Sequence, residues 1–114
     1  MEEAERTTGG SRYAALVIAG GMNVSSMLDL LLEERIVAIF RGFEGEAADR
    51  AAEALIDGGI RLIEVTMNTP GATETIARWR EKFDGRAAIG AGTVLDLQMA
   101  KEAAAAGAMY LISP

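Results

Sequence analysis

The chain has 114 residues, of which 50% are hydrophobic and 25% charged, and its net charge is −6, as expected for one ordinary globular domain. The acidic balance, without any cluster of Lys and Arg, argues against nucleic acid or an anionic membrane as a main partner. Because the sequence has neither Cys nor His, it excludes disulfides, thiolate and imidazole metal sites, and Ser-His or Cys-His nucleophiles. Proton chemistry must therefore use carboxylates, Lys, Tyr or bound water, and we expect a cytoplasmic location.

The first 21 residues are predicted to be a disordered N-terminal extension, followed by a single domain over residues 22–114. The apolar run from Tyr13 to Gly20 is too short to span a bilayer. Its acidic flank has the wrong charge for a secretory signal, so we expect no membrane partner.

From residue 25 onward, helical and strand patterns alternate. Ser25 and Ser26 precede an apolar run and predict a short helix that ends near Glu34. We expect this helix to be a lid over a barrel bottom or a hydrophobic plug. Thr69 and Asp96 are the predicted N-terminal caps of two later helices. The other predicted elements are, in order, strand 36–40, helix 46–57, strand 62–66, a helix with the apolar stripe Ala72, Ile76, Trp79 and Phe83, strand 87–91, a helix ending at Gly107, and strand 109–112.

These elements form a repeat of strand, polar exit and helix. The strand starts near Ile36, Leu62, Ala87 and Met109 lie 26, 25 and 22 residues apart. Successive βα units of this length predict a parallel sheet with right-handed crossovers, either doubly wound or rolled into a barrel. Polar residues at every strand exit favour the barrel, whose chemistry collects at the carboxyl ends of its strands.

Glu64 is the main candidate for proton chemistry. Strand alternation places it on one face with Leu62 and Thr66, where its neighbours are apolar and its proton affinity should rise. Five further polar residues follow strand ends and should reach the same rim, which suits a small anionic keto or hydroxy acid. They are Arg41, Thr66, Asn68, Thr93 and Ser113.

Each of these assignments has a structural alternative. Glu64 could be an edge-of-strand acid paired with an Arg, and Arg41 could pair with Glu44 or Glu46 on the surface. Thr93 could simply form a helix-entry turn, while Gly90 and Gly92 indicate a tight strand exit where a ligand or backbone comes close. Lys82 and Lys101 are the only lysines, and both fall on predicted helices, where we expect them to face solvent.

Four motifs in order resemble the first half of the KDPG and KHG aldolases, which act on 2-keto-3-deoxy-6-phosphogluconate and 4-hydroxy-2-oxoglutarate. They are Ile-Val-Ala-Ile-Phe-Arg at 36–41, Gly-Gly-Ile-Arg-Leu-Ile-Glu-Val-Thr at 58–66, Ile-Gly-Ala-Gly-Thr-Val-Leu at 89–95 and Ala-Gly-Ala-Met-Tyr-Leu-Ile-Ser-Pro at 106–114. The resemblance implies a (β/α)8 barrel, usually trimeric, that releases pyruvate and an aldehyde without metal or cofactor. In such a class I enzyme, a Lys forms a Schiff base and a Glu shuttles the proton of the C4 hydroxyl through water.

Carried over by motif, Glu64 is the general base, Thr93 contacts the pyruvate carboxylate, and Arg41, Ser113 and Pro114 line the pocket. Asn68 stands where some members have a carboxylate-binding Arg, so Arg41 could carry more of that role. The resemblance places the Schiff-base Lys on a later strand. We therefore expect about half a barrel that is inactive by itself.

Half a barrel should leave one sheet face and two strand edges open to water. We expect Leu62 and Ile89 to be exposed there, and the chain either to self-associate or to stay partly molten. Two other functions remain open: a non-catalytic half-barrel that assembles, or a different phosphate-using barrel enzyme.

Overall fold

The computed structural model describes residues 15–17 and 24–114. Helices and strands alternate along the chain, and we number them in order. They are β1 (Ala15–Val17), α1 (Val24–Glu34), β2 (Ala38–Phe40), α2 (Gly45–Asp57), β3 (Leu62–Thr66), α3 (Ala72–Lys82), β4 (Ala88–Gly92), α4 (Leu97–Ala106) and β5 (Tyr110–Ile112).

The strands form one sheet with the order β1-β5-β4-β3-β2. Strands β2 to β5 run parallel, and the pairs Ile39 with Glu64 and Glu64 with Gly90 fix the register at the middle of the sheet. Each parallel pair is joined by one helix, so the architecture is a half α/β barrel with four parallel strands, as the repeat predicts. The parallel strands start within two residues of the predicted positions.

The main core lies between one face of the sheet and helices α2 to α4. Ile63 and Val65 of β3 point into it, where they meet the predicted stripe of α3. Trp79 and Phe83 of that stripe are fully buried, and the Trp79 ring meets the Phe40 ring edge-on with centroids 4.9 Å apart. This packing confirms that the stripe on α3 is core.

Helix α1 covers the opposite face near the start of the strands. Met27 and Leu30 pack there against Leu62 and Tyr110, which confirms the predicted hydrophobic plug. The expectation that Leu62 and Ile89 are exposed was wrong, because both are buried. Leu62 lies beneath α1, whereas Ile89 points into the other core, between the sheet and its helices.

One edge of the sheet is also covered. Strand β1 pairs antiparallel with β5, and Ala15 lies opposite Ile112. The predicted disordered extension over 1–21 therefore contains a strand at 15–17, and its other residues lie outside the described ranges. Among the described strands, β1 and β2 therefore form the two edges, and β2 is the edge strand of the parallel part.

The predicted helix starts had mixed outcomes. Asp96 caps α4 as predicted, since its carboxylate accepts a hydrogen bond from the Met99 N–H at 2.8 Å. Helix α1 already begins at Val24, before the predicted caps Ser25 and Ser26. The prediction for Thr69 was wrong, because α3 begins at Ala72 and the Thr69 hydroxyl has other partners.

Candidate active site

Helix α1 covers one face of the sheet only near the starts of the strands. Toward the carboxyl ends of the strands this face is not covered by α1, and the predicted polar residues lie there. We call this the inner face. The parallel register places Ile39, Glu64 and Gly90 in one row across it. Thr66 and Gly92 lie in the next row, nearer the strand exits. The inner face thus changes from apolar beneath α1 to polar at the carboxyl ends of the strands.

Glu64 is 4% exposed, although it sits on a face without a full helical layer. Its carboxylate lies across Gly92, where the Cβ of any other residue would overlap it. Gly90 plays the same role for Tyr110, because a Cβ at position 90 would overlap the tyrosine ring. The two glycines therefore make room for side chains, which differs from the predicted close approach of ligand or backbone.

The electrostatic environment of Glu64 favours its neutral form. Burial raises the pKa of the Glu64 carboxyl, and the positive charge of Arg41 lowers it by less. Within residues 15–17 and 24–114, no donor forms a hydrogen bond to this carboxylate. A carboxyl group with raised proton affinity and little exposure to water is suited to exchanging a proton with a substrate.

Arg41 connects three strand exits. Its guanidinium donates to Asn68 Oδ1 and to Thr93 Oγ1, both at 3.3 Å, after β3 and β4 respectively. Within the described chain, Arg41 makes these contacts. Among the same residues, it does not form the alternative ion pair with Glu44 or Glu46. A positive charge beside two hydrogen-bonding side chains can receive a small carboxylate.

Thr93 holds this position with a strained backbone. Its φ is +54°, in the left-handed region that β-branched residues rarely adopt. Such a conformation costs on the order of 1–3 kcal/mol and tends to occur at functional sites. In this conformation the Thr93 hydroxyl meets the guanidinium of Arg41, a contact that a helix-entry turn does not require.

The remaining predicted residues differ in accessibility. Thr66 is fully buried, and its hydroxyl contacts Thr69 Oγ1 at 2.7 Å. Ser113 and Pro114 are exposed just beyond β5. The Val94 N–H donates to the Ile112 carbonyl at 3.2 Å, which joins the exits of β4 and β5.

Two residues beside the site were missed by sequence reasoning. The Tyr110 hydroxyl donates to the Ile63 carbonyl at 2.8 Å, next to the peptide of Glu64. Burial, followed by the negative charge of Glu64, raises the pKa of the Tyr110 hydroxyl well above its usual value. Thr69 accepts from the Gly42 N–H. The alternation of side chains along a strand, which predicts that Glu64 lies on the inner face, also allows Tyr110 to be placed there. Nothing in the sequence indicates that Thr69 accepts a hydrogen bond from Gly42.

Neither lysine lies on the inner face. Lys82 is exposed at the end of α3, where it pairs with Glu53 at 3.4 Å, and Lys101 is exposed on α4. Both predictions of solvent-facing lysines are confirmed. The described residues contain no group of three His, Cys, Asp or Glu side chains that could hold a metal ion. In the same residues, no helix is both long and apolar enough to cross a membrane.

The model of the KDPG and KHG aldolase family matches residues 17–114. The chain belongs to the KDPG and KHG aldolase family. Among curated relatives, the 2-dehydro-3-deoxy-phosphogluconate aldolase of Treponema pallidum is 39% identical over 89 residues, which are 78% of this chain and 42% of the relative. The KHG/KDPG aldolase of Escherichia coli K12 is 45% identical over 69 residues, which are 60% of this chain and 32% of the relative. The chain thus spans less than half the length of the aldolases it matches.

Solved aldolase structures show the same fold. The KDPG aldolase of Zymomonas mobilis superposes with a TM-score of 0.60 at 37% identity, covering 68% of this chain and 37% of that one. The KDPG aldolase of Legionella pneumophila, with pyruvate captured at low pH as a covalent carbinolamine intermediate, gives 0.58 at 38% identity, covering 63% and 34%. These neighbours confirm the predicted barrel type and the resemblance read from the four motifs.

Proposed function

We propose that this aldolase-family chain supplies the acid-base and carboxylate-binding half of a class I aldolase site. The substrate would be 2-keto-3-deoxy-6-phosphogluconate or 4-hydroxy-2-oxoglutarate, and the products pyruvate and an aldehyde. The observation that carries this proposal is the burial of Glu64 on the inner face, with Arg41 close enough to lower its pKa. The family and the Legionella complex with pyruvate support the choice of reaction.

Each polar residue of the rim has a proposed task. Glu64 accepts the proton of the C4 hydroxyl, either directly or through water, as the bond between C3 and C4 breaks. An amine holds the keto carbon as a Schiff base, and the electron pair of the broken bond converts this Schiff base into an enamine. Protonation of C3 and hydrolysis then release pyruvate and the amine. Arg41, Asn68 and Thr93 bind the carboxylate, and Thr66, Ser113 and Pro114 line the pocket.

The amine is proposed to come from outside the residues described. Lys82 and Lys101 lie on helices α3 and α4, away from the inner face, so neither can reach a keto acid beside Glu64. The isolated chain is therefore proposed to be inactive. The complete enzyme is proposed to be a trimer that needs no cofactor.

A chimaeric enzyme provides a direct test. Residues 22–114 are fused to the part of the E. coli KHG/KDPG aldolase that this chain does not match, and pyruvate release is measured from both keto acids. We expect activity from the chimaera and none from the 114-residue chain. Glu64→Gln should lower kcat by about 10²- to 10⁴-fold. Glu81→Gln, on the exposed surface of α3, should leave it unchanged.

Two results would overturn the proposal. One is a folded chimaera that forms the borohydride-trapped pyruvate adduct and keeps full turnover with Glu64→Gln. The other is trapping of pyruvate on Lys82 or Lys101 of the 114-residue chain. A chimaera that binds neither pyruvate nor the keto acids would favour assembly without catalysis, or a different barrel chemistry.

A further inference from the structure

We propose that the hydroxyls of Thr66 and Thr69 form a clamp on the backbone at both sides of Arg41 and thereby position its guanidinium in the site. Thr69 lies outside the residues predicted for the site, and both threonines act on Arg41 through its backbone. The inference rests on the proposed function only in one respect, that the Arg41 charge binds the substrate carboxylate.

The clamp is a chain of hydrogen bonds. The Gly42 N–H donates to Thr69 Oγ1 at 2.8 Å, and Thr69 Oγ1 lies 2.7 Å from Thr66 Oγ1. Thr66 Oγ1 also lies 3.4 Å from the Phe40 carbonyl, and when Thr66 donates there, Thr69 supplies the proton between the two hydroxyls. The chain thus starts and ends on the two peptide groups that flank Arg41.

The backbone at this point needs such support. Strand β2 ends at Phe40, so Arg41 and Gly42 lie beyond the sheet ladder, and Gly42 has a left-handed φ of +67°. Both bonds that the guanidinium donates are long, at 3.3 Å, and its side chain is exposed. The guanidinium contacts alone therefore hold Arg41 weakly.

The two threonines are suited to this role by their burial. Thr66 is fully buried and Thr69 is 4% exposed, so water cannot readily replace either hydroxyl. Losing one would leave a peptide group or a hydroxyl without a partner. The β2–α2 exit would then move independently of β3, and Arg41 would spend less time beside Glu64.

The proximity of Arg41 to Glu64 gives a readout that needs no substrate. Because the Arg41 charge lowers the pKa of Glu64, releasing Arg41 should raise that pKa. The side-chain carboxyl of Glu64 is titrated by carbon-13 NMR in the 114-residue chain and in three variants. Thr69→Val should shift the titration upward toward that of Arg41→Gln, and Thr69→Ser should restore it.

The matched control is Thr75→Val, which removes another buried threonine hydroxyl, on α3, outside the clamp. In this control variant, the Glu64 carboxyl should titrate at the same pH as in the unmodified chain. The Gly42 amide should exchange with solvent about two- to tenfold faster in Thr69→Val and no faster in Thr75→Val. An equal shift in both valine variants, or no shift in Thr69→Val, would overturn the clamp.

A measurement on the unmodified chain covers the case in which Thr69→Val does not fold. Hydroxyl protons that are buried and hydrogen-bonded exchange slowly enough to be observed by proton NMR. Both Thr66 and Thr69 should show such protons, with the Thr69 proton close to Thr66 Oγ1. Absence of both signals in the folded chain would refute the proposal. Neither result depends on turnover, so failure of the clamp and failure of the aldolase proposal can be told apart.

Discussion

At the scale of single residues, the candidate site depends on an acid placed where water is scarce. Gly92 on the neighbouring strand leaves room for the Glu64 carboxylate, and burial keeps it from solvent. The same burial that makes Glu64 useful as a base must also destabilise its ionised form in the folded chain. Function and stability should therefore be opposed at this position.

Replacing Glu64 with Gln tests this opposition. Because the folded pKa of Glu64 is raised, the folded chain binds its proton more tightly than the unfolded chain. The contribution of Glu64 to the free energy of unfolding is fully present below the pKa that this group has in the unfolded chain. It is lost as the pH rises through the higher pKa of the folded chain. The Glu64→Gln variant has no carboxyl group at this position to lose a proton. The stability of the variant relative to the unmodified chain should therefore increase from pH 4 to pH 7.

Urea denaturation at intervals of one pH unit measures this difference. The relative gain can accumulate by at most about 1.4 kcal/mol per pH unit, the value for one proton. Glu81→Gln on the exposed surface of α3 is the control for the loss of one carboxylate. A constant difference for Glu64→Gln would mean that the pKa of Glu64 is not raised by burial.

The sequence was informative about Glu64 but not about its supports. A lone acid among alternating Leu, Ile and Val residues identifies a buried carboxyl without knowledge of the neighbouring strand. Thr69 looks like a helix cap from its position before Pro70, and only the folded chain brings it to the Gly42 N–H. Contacts between residues 27 positions apart depend on how two exits pack, which no local pattern encodes.

At the scale of elements, the carboxylate of Asp49 links helix α2 to two neighbouring residues of α3. Asp49 Oδ1 accepts from Trp79 Nε1 at 2.6 Å and from Arg78 Nη2 at 2.8 Å. The hydrogen bond from Arg78 is the largest cause of the lowered pKa of Asp49. Trp79 is fully buried, so its N–H needs this acceptor.

We expect Asp49→Ala to lower the free energy of unfolding by about 1–3 kcal/mol, because it leaves the Trp79 N–H without its partner. Asp49→Asn keeps an oxygen acceptor and should cost less. Asp57→Ala is the matched control on the same helix, since it breaks the exposed ion pair with Arg86. Its cost should be below about 1 kcal/mol.

Urea denaturation of the three variants at neutral pH gives the comparison. Equal losses for Asp49→Ala and Asp57→Ala would show that Asp49 acts only as a surface charge. The near-ultraviolet circular dichroism of Trp79 should change in Asp49→Ala and remain unaltered in Asp57→Ala.

The order and type of the parallel elements were predictable because each strand is a short apolar run and each helix carries an apolar stripe. What α1 covers was only partly predictable. Its apolar residues indicate a plug, but which strand residues lie beneath it depends on the direction in which the chain crosses the sheet. That crossing is why Leu62 is buried despite the expectation of an open face.

At the scale of the whole molecule, the two edges of the sheet differ. Strand β1 pairs with β5, whereas β2 is the last strand at the other edge of the described sheet. Ile36, Ile39 and Phe43 are large apolar side chains exposed in and beside β2. An uncovered edge with exposed apolar residues is a template for pairing with another chain.

We therefore expect the 114-residue chain to associate through the β2 edge, and we expect Ile39→Lys to weaken that association. Ile39 is 57% exposed, so the substitution should leave the core intact while placing a charge on the edge strand. If burying Ile39 contributes about 1.5–3 kcal/mol to association, its loss should raise the dissociation constant at least about tenfold. Sedimentation velocity over a range of concentrations measures this change. The control is Leu97→Lys, at another exposed apolar residue, on α4. Association that weakens equally in both variants would place the contact elsewhere, because α4 lies across the sheet from the inner face and far from its β2 edge in strand order.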